Sequence, residues 1–225
     1  KKPALIIFPF YDHPSDLYRE PGFFTQLSRE IAIPILVSEH VPNFKGKGIL
    51  TGGFFSGAFL YTPAGLQATY QAVSKPPFRG IPEFTADRYQ TLQTPLGRAG
   101  ILLCYEDTHP DIVQKAVNMG AEYLIALSNP GQFNGIQIPS QHLNEDRLRA
   151  LESGREILRV SANGYSAHIG KEGNILQRSK LGEETILSGT LQTHSTPTFY
   201  HRHPNLTLWL CLLLLLPFVL TPIRK

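Results

Sequence analysis

Apolar residues fall in short blocks along this chain, each bounded by polar or turn-forming residues. Ala4-Leu5-Ile6-Ile7-Phe8 is an apolar run stopped by Pro9, which predicts a buried strand. Residues Phe23 to Ala32 have helical character, with Ser28, Arg29 and Glu30 on the polar side. Ile33 to Val37 reads as a strand, and Pro34 implies an early or edge position. Phe54 to Tyr61 and Leu66 to Val73 read as a hairpin turned at Pro63-Ala64-Gly65. Lys75 to Arg98 is rich in Pro and polar residues and reads as a long loop, often a functional lid in compact domains.

The next apolar block is Gly100-Ile101-Leu102-Leu103, a strand signal that stops at Cys104-Tyr105-Glu106-Asp107. Asp111 to Met119 is a predicted helix with Gly120 as its C-terminal stop, and Tyr123 to Leu127 a predicted strand. Gln141 to Ser153 is a predicted helix closed by Gly154. Ile157 to Ser161, Tyr165 to Ile169, Ile175 to Arg178 and Thr185 to Leu191 read as strands, with a hairpin turn at Lys171-Glu172-Gly173-Asn174. Strands alternating with helices, then hairpins, predict a layered α/β architecture. Gly52-Gly53 lacks the spacing and the Lys of a phosphate-binding loop, and no internal repeat is found.

The last block differs in kind. Leu206 to Ile223 is uncharged and dominated by Leu, long enough to predict a transmembrane helix. Pro217 would bend it, Trp209 would lie near an interface, and Cys211 would be an apolar filler. Arg224-Lys225 would mark the cytoplasmic side, leaving the globular part in the periplasm. The division expected is a globular domain over 1–200 and a juxtamembrane segment plus span over 201–225.

Composition changes the picture little. The chain has 225 residues, 42% of them hydrophobic, which supports one full core and excludes disorder. A net charge of +3 with scattered Lys and Arg gives no nucleic-acid footprint. Cys104 and Cys211, the two cysteines, fall in unlike environments, so no disulfide is expected. His194, His201 and His203 have no carboxylate or Cys at ligand spacing, so they read as a juxtamembrane stretch; neither metal nor cofactor is expected.

Cys104 carries the candidate chemistry. A thiol where a buried strand gives way to two acids faces a cleft, where substrate and activating groups can reach it. The bland alternative is a small core hydrophobe. Glu106, two residues on, would share the face of Cys104 if the strand continued, and would orient a neighbour or bind an acceptor amine. Arg147, Arg149 and Arg155 are expected to pair with Glu145, Asp146 and Glu152 on helix faces.

Gly100 to Glu106 is followed in order by Leu127-Ser128-Asn129, Gln141-His142-Leu143, Arg147 to Glu152, Ile157-Leu158-Arg159 and Ala162-Asn163-Gly164. This series resembles the nitrilase (carbon–nitrogen hydrolase) superfamily, and within it the apolipoprotein N-acyltransferases of bacterial membranes. The resemblance implies a four-layer αββα sandwich followed by a C-terminal transmembrane helix, in the bacterial inner membrane. Family members carry several spans, a strand and a helix before the part matched here, so the chain is expected to be a fragment, a processed piece or a truncated relative.

The resemblance also implies a reaction. A Glu base and a Lys at the oxyanion serve a nucleophilic Cys, which takes an acyl group from a phospholipid as a thioester. The acyl group then passes to the free amine of a lipid-modified N-terminal cysteine on a lipoprotein. Carried onto this sequence, the nucleophile is Cys104, but Phe10 stands at the place of the Glu and Ala72 at that of the Lys. Gly80 stands where a second Glu would be, and Gln132 where a loop aromatic would be. Phe10 beside the thiol is expected to raise its pKa by desolvation.

Two readings stay open. In one, the lost roles have moved to Asp12, His13, Lys75 or Glu106, with Ser128, Asn129, His142 and Glu83 binding substrate. In the other, the domain is an inactive scaffold that binds a protein partner at the membrane. A small-amide hydrolase is a third possibility, disfavoured by the C-terminal span and the arginine-rich helix. The strands ending at Phe8, Cys104 and Leu127 are expected to be neighbours in one sheet, opening on one cleft.

Overall fold

The computed structural model describes residues 2–9, 22–42, 54–75, 84–129 and 137–220. Two sheets face each other. One has the order β1 (Ile6–Phe8), β2 (Ile35–Pro42), β3 (Phe54–Thr62), β4 (Gly65–Gln71). Only β1 and β2 are parallel in it. The other has six strands in the order β10 (Ile175–Arg178), β9 (Ala167–Ile169), β8 (Ile157–Ser161), β7 (Tyr123–Ser128), β6 (Gly97–Leu103), β5 (Thr91–Thr94). Its centre, β6-β7-β8, is parallel, and antiparallel strands flank it on both sides.

Helices cover the outer faces. Helix α1 (Phe23–Ile31) buries Phe24 against Ile35 and Val37 of the smaller sheet. Helices α2 (Pro110–Asn118) and α3 (Gln137–Ser153) pack on the larger sheet. Gly100 marks how close that packing is, since a Cβ there would lie 2.8 Å from the Cβ of Ala116 on α2. Between the sheets, Leu36, Ala58, Leu60 and Tyr70 meet Ala99, Ile101 and Leu103 in one core cluster. The helix–sheet–sheet–helix layering expected of this chain is therefore present.

Several expectations need correction. The strand ending at Phe8 is not a neighbour of those ending at Leu103 and Leu127; it pairs with β2 in the opposite sheet. The proposed loop from Lys75 to Arg98 contains β5, which makes a tight hairpin with β6 around Pro95-Leu96. Its Thr and Gln residues hid an edge strand. Residues 179–198 form no strand, so the one expected over Thr185 to Leu191 is absent; this stretch is a strap held by side-chain and scattered backbone hydrogen bonds.

The C-terminal expectation is also cut back. Helix α4 (Phe199–Arg202) is followed by α5 (Leu206–Leu220), a single helix of 15 residues. Its described part reaches about 22 Å at 1.5 Å per residue, against a bilayer core of about 30 Å; Ile223 and Arg224-Lys225, with which the expected span ended, lie outside the described residues. Among the described residues, no helix is long and apolar enough to cross a membrane.

Candidate functional site

Strand β6 delivers Cys104 to the edge where the parallel strands end. Register places Leu103 beside Leu127 and Ser128 beside Ser161, so the ends of β6, β7 and β8 line up. The chain breaks from the sheet at Cys104 itself, whose φ of 51° lies in the left-handed region. A non-glycine residue held there carries backbone strain and needs neighbours that over-determine it. A 3-10 turn over Cys104–Thr108 follows, and Cys104 is half-buried at its start.

Glu106 supplies much of that constraint. Instead of continuing the face of Cys104, it turns inward and is fully buried. Its carboxylate accepts from the backbone N–H of Leu103 at 2.9 Å, fixing the turn locally. It also accepts from Val73 N–H at 2.7 Å, from Ser74 N–H at 3.3 Å and from the Tyr70 hydroxyl at 3.0 and 2.9 Å. The turn bearing the thiol is thus tied to the end of β4, on the other sheet. Burial pushes the Glu106 carboxyl up to about 7, opposed by the N–H donors of Leu103 and Val73. With its oxygens engaged by these donors, Glu106 holds the turn that bears the thiol.

Ala72 lies inside this tie. It is 1% exposed, its N–H donates to Ser56 O at 2.9 Å, and its carbonyl accepts from Ala86 N–H at 2.8 Å. A methyl group at that point supplies neither charge nor proton. Lys75 is exposed three residues on. Asp12, His13 and Glu83, with Phe10, Gly80 and Gln132, lie outside the described residues.

A second buried network lies under the turn. Asp107 Oδ2 accepts from His142 Nδ1 at 2.6 Å and from Arg159 Nη1 at 3.3 Å. Arg159 Nη1 also donates to Asp146 Oδ2 at 2.6 Å, its Nη2 to Ser128 Oγ at 2.9 Å, and its Nε to the Tyr165 carbonyl at 3.0 Å. One guanidinium therefore serves two buried carboxylates. Burial, together with the charge of Asp107, pushes the Asp146 carboxyl up despite Arg159. Ser128 and His142, expected to bind substrate, are thereby engaged inside the protein. Asn129 accepts from Asn163 Nδ2 at 2.8 Å, joining two loops at the strand ends.

The expected arginine pairs are met in part. Arg149 approaches Glu152 at 3.3 Å and Glu145 at 3.7 Å, as expected. Arg147 instead donates to Gly173 O, and Asp146 belongs to Arg159. Arg155 is almost wholly buried and donates to the carbonyls of Ala121, Ser195 and Thr196 at 2.8, 3.0 and 2.9 Å. Sequence reading missed Tyr70, Asp107 and Arg159 as parts of the site. Arg159 had a signal, since it alternates with Ile157 and Ser161 on the buried face of a central strand.

A cavity of about 560 Å³ opens beside α2, lined in part by Ser74, Arg88, Tyr89, His109 and Lys115; Cys104 does not line it. Among the described residues, no three His, Cys, Asp or Glu side chains are grouped to hold a metal ion.

Comparison with known proteins places this geometry. An apolipoprotein N-acyltransferase of Shewanella oneidensis is 31% identical over 144 residues, 61% of this chain and 28% of that protein. One from Geobacter metallireducens is 29% identical over 133 residues, 59% of this chain and 26% of that protein. The matched stretch thus spans only about a quarter of these relatives' length. Among solved structures, an amidase from Nesterenkonia superposes with a TM-score of 0.63 at 18% identity, covering 93% of this chain and 83% of that one. A carbon–nitrogen hydrolase from Helicobacter pylori gives 0.65 at 15% identity, covering 80% and 75%. These two establish the fold. The carbon–nitrogen hydrolase family model matches residues 25–198, and the chain belongs to that family.

Proposed function

We propose that this chain is the nitrilase-type domain of a membrane N-acyltransferase. Cys104 takes an acyl group from a phospholipid as a thioester and passes it to the N-terminal amine of a lipoprotein. The observation carrying this is the thiol at the end of β6, half-buried, on a left-handed backbone braced by Glu106. A nucleophile on a tight strand-to-helix turn presents its sulfur at the strand ends, where ligands bind in α/β sheets. The names of the relatives supply the substrate class. Thiolate attack on the ester carbonyl forms the thioester and releases the lyso-lipid alkoxide, which takes a proton. Amine attack then regenerates the thiol.

Bilayer association belongs to the same reading. The side chains of α5 from Leu206 to Leu216 are exposed, and the helix is apolar on every side. Such a helix suits hydrocarbon better than any one-sided groove. The bacterial inner membrane is its proposed place, with the globular domain on the periplasmic face.

Ala72 favours a second reading, a nitrilase-fold domain that binds a partner at the membrane without acylation. Incubation with phospholipid vesicles followed by intact-mass analysis separates the two. An added acyl mass lost in Cys104→Ala supports the transferase; an unmodified protein after prolonged incubation supports the binding domain.

A further inference from the structure

The strap from Ser179 to Thr198 ends in a short helix whose position on the domain is fixed. Arg155 holds the carbonyls of Ser195 and Thr196. His194 N–H donates to Glu122 O at 2.9 Å, and Gln192 N–H to Glu156 Oε2 at 3.0 Å. Thr198 Oγ1 donates to the Glu152 carbonyl and accepts from His201 N–H, capping α4. His201 Nε2 lies 3.0 Å from Asn118 Oδ1 at the end of α2. Helix α4 is thus anchored to the edge where β7 and β8 begin.

What α4 presents outward is unusual for a surface helix. Phe199 is 65% exposed, and its ring lies 4.9 Å from that of His203. Arg202 is exposed and makes no ion pair among the described residues; its Nη2 donates only to the Pro197 carbonyl, at 3.3 Å. Three residues into α5, Trp209 is 66% exposed. No Asp or Glu occurs after Glu184, so this end of the chain offers cations and aromatics without acids.

We propose that Phe199, Arg202 and His203 on and after α4, with Trp209 in the first turn of α5, form a collar that binds the headgroup layer of an anionic phospholipid bilayer. The proposal rests on the bilayer reading of α5. An apolar helix with no polar stripe excludes a one-sided protein groove as its cover. Aromatic rings with one wet side settle at the boundary between headgroups and hydrocarbon. A cation held there is attracted by anionic lipid, by about fivefold in partition per charge. The anchored strap lets the collar set the height of the whole domain above the lipid.

Trp209 is the single tryptophan of the chain, which makes the test direct. The full chain is mixed with vesicles of phosphatidylcholine alone, or with about a third phosphatidylglycerol. The expected result is a blue-shifted Trp209 emission, quenched more by lipids brominated near the headgroup than by lipids brominated deep in the chain. Arg202→Glu should lower partition onto the anionic vesicles by roughly 25-fold, two charge units, and leave phosphatidylcholine binding unchanged. Deep quenching, or an anionic preference that Arg202→Glu does not alter, overturns the collar while leaving the bilayer reading intact. Trp209 fully open to aqueous acrylamide with both vesicles overturns both.

Discussion

The Tyr70 hydroxyl donates to both carboxylate oxygens of Glu106, at 3.0 and 2.9 Å, joining β4 of one sheet to the turn after β6 of the other. Among the described residues, the groups that meet that carboxylate are N–H and O–H donors. This bond and those from Val73 and Leu103 hold the Cys104 turn at a fixed height over the core.

Removing either partner should therefore cost stability and thiol placement together. Glu106→Ala leaves the Leu103 and Val73 N–H groups and the Tyr70 hydroxyl buried without an acceptor. At about 1–3 kcal/mol for each stranded group, the loss should exceed about 3 kcal/mol in urea unfolding. Tyr70→Phe removes one donor and should cost about 1–2 kcal/mol.

The same burial sets a pH dependence. Glu106 in the folded chain titrates at about 7, against an ordinary value of 4.5. Between those values the folded state holds a proton that the unfolded state has released. Its contribution to stability is full below 4.5 and is lost as pH rises to about 7. Asp146 is shifted in the same direction and adds to the slope. Denaturant midpoints should fall across this window. A steady rise across it, unchanged in Asp146→Asn, would contradict the assignment.

Arg159 is the shared cation of the second network. Arg159→Met leaves Asp107 and Asp146 buried together without it, and should destabilise by about 3–5 kcal/mol. Adding Asp146→Asn removes one of the stranded charges and should recover part of the loss. Chemical denaturation of the single and double variants measures this coupling.

Arg155→Lys keeps a charge but loses the planar fork that reaches the carbonyls of Ala121, Ser195 and Thr196 at once. The strap should loosen while the sandwich stays folded. Limited proteolysis should then cut between residues 180 and 198 faster than in the unmodified chain, and equal rates would argue that the other strap bonds suffice.

The layered fold was legible because its central strands are continuous apolar runs, Ile101 to Leu103 and Tyr123 to Leu127, separated by capped helices. The edge strand β5 was not, because Thr91-Leu92-Gln93-Thr94 has Leu92 as its one apolar residue, and Thr94 is buried through hydroxyl bonds to Gly97 O and the Tyr123 hydroxyl that only the fold brings about. Cys104 was visible as the point where apolar residues stop. The role of Glu106 was hidden, because sequence alternation assumes a continuing strand and the left-handed φ at Cys104 ends it. Asp146 looked like a helix-face charge and Asp107 like one of two acids ending a strand; only the fold brings Arg159, from another strand, between them.

The decisive test of activity starts from Ala72, whose 1% exposure places a methyl where family resemblance calls for a cation. Phe10→Glu with Ala72→Lys would restore an acid and an amine to the positions that resemblance assigns them. A positioned general base contributes about 10²–10⁴-fold, so thioester formation on Cys104 should rise by at least about 100-fold over the unmodified chain. A lysine at so buried a position will lower stability, so the rate must be normalised to folded protein, measured by circular dichroism in the same sample. Acylation in the double variant alone would mean that the fold retains the reaction's geometry and has lost only its proton handling. Equally fast acylation in the unmodified chain would contradict this and direct attention to Asp12, His13 or Lys75. No acylation in either would favour the binding domain, with Cys104 kept as a strained turn residue.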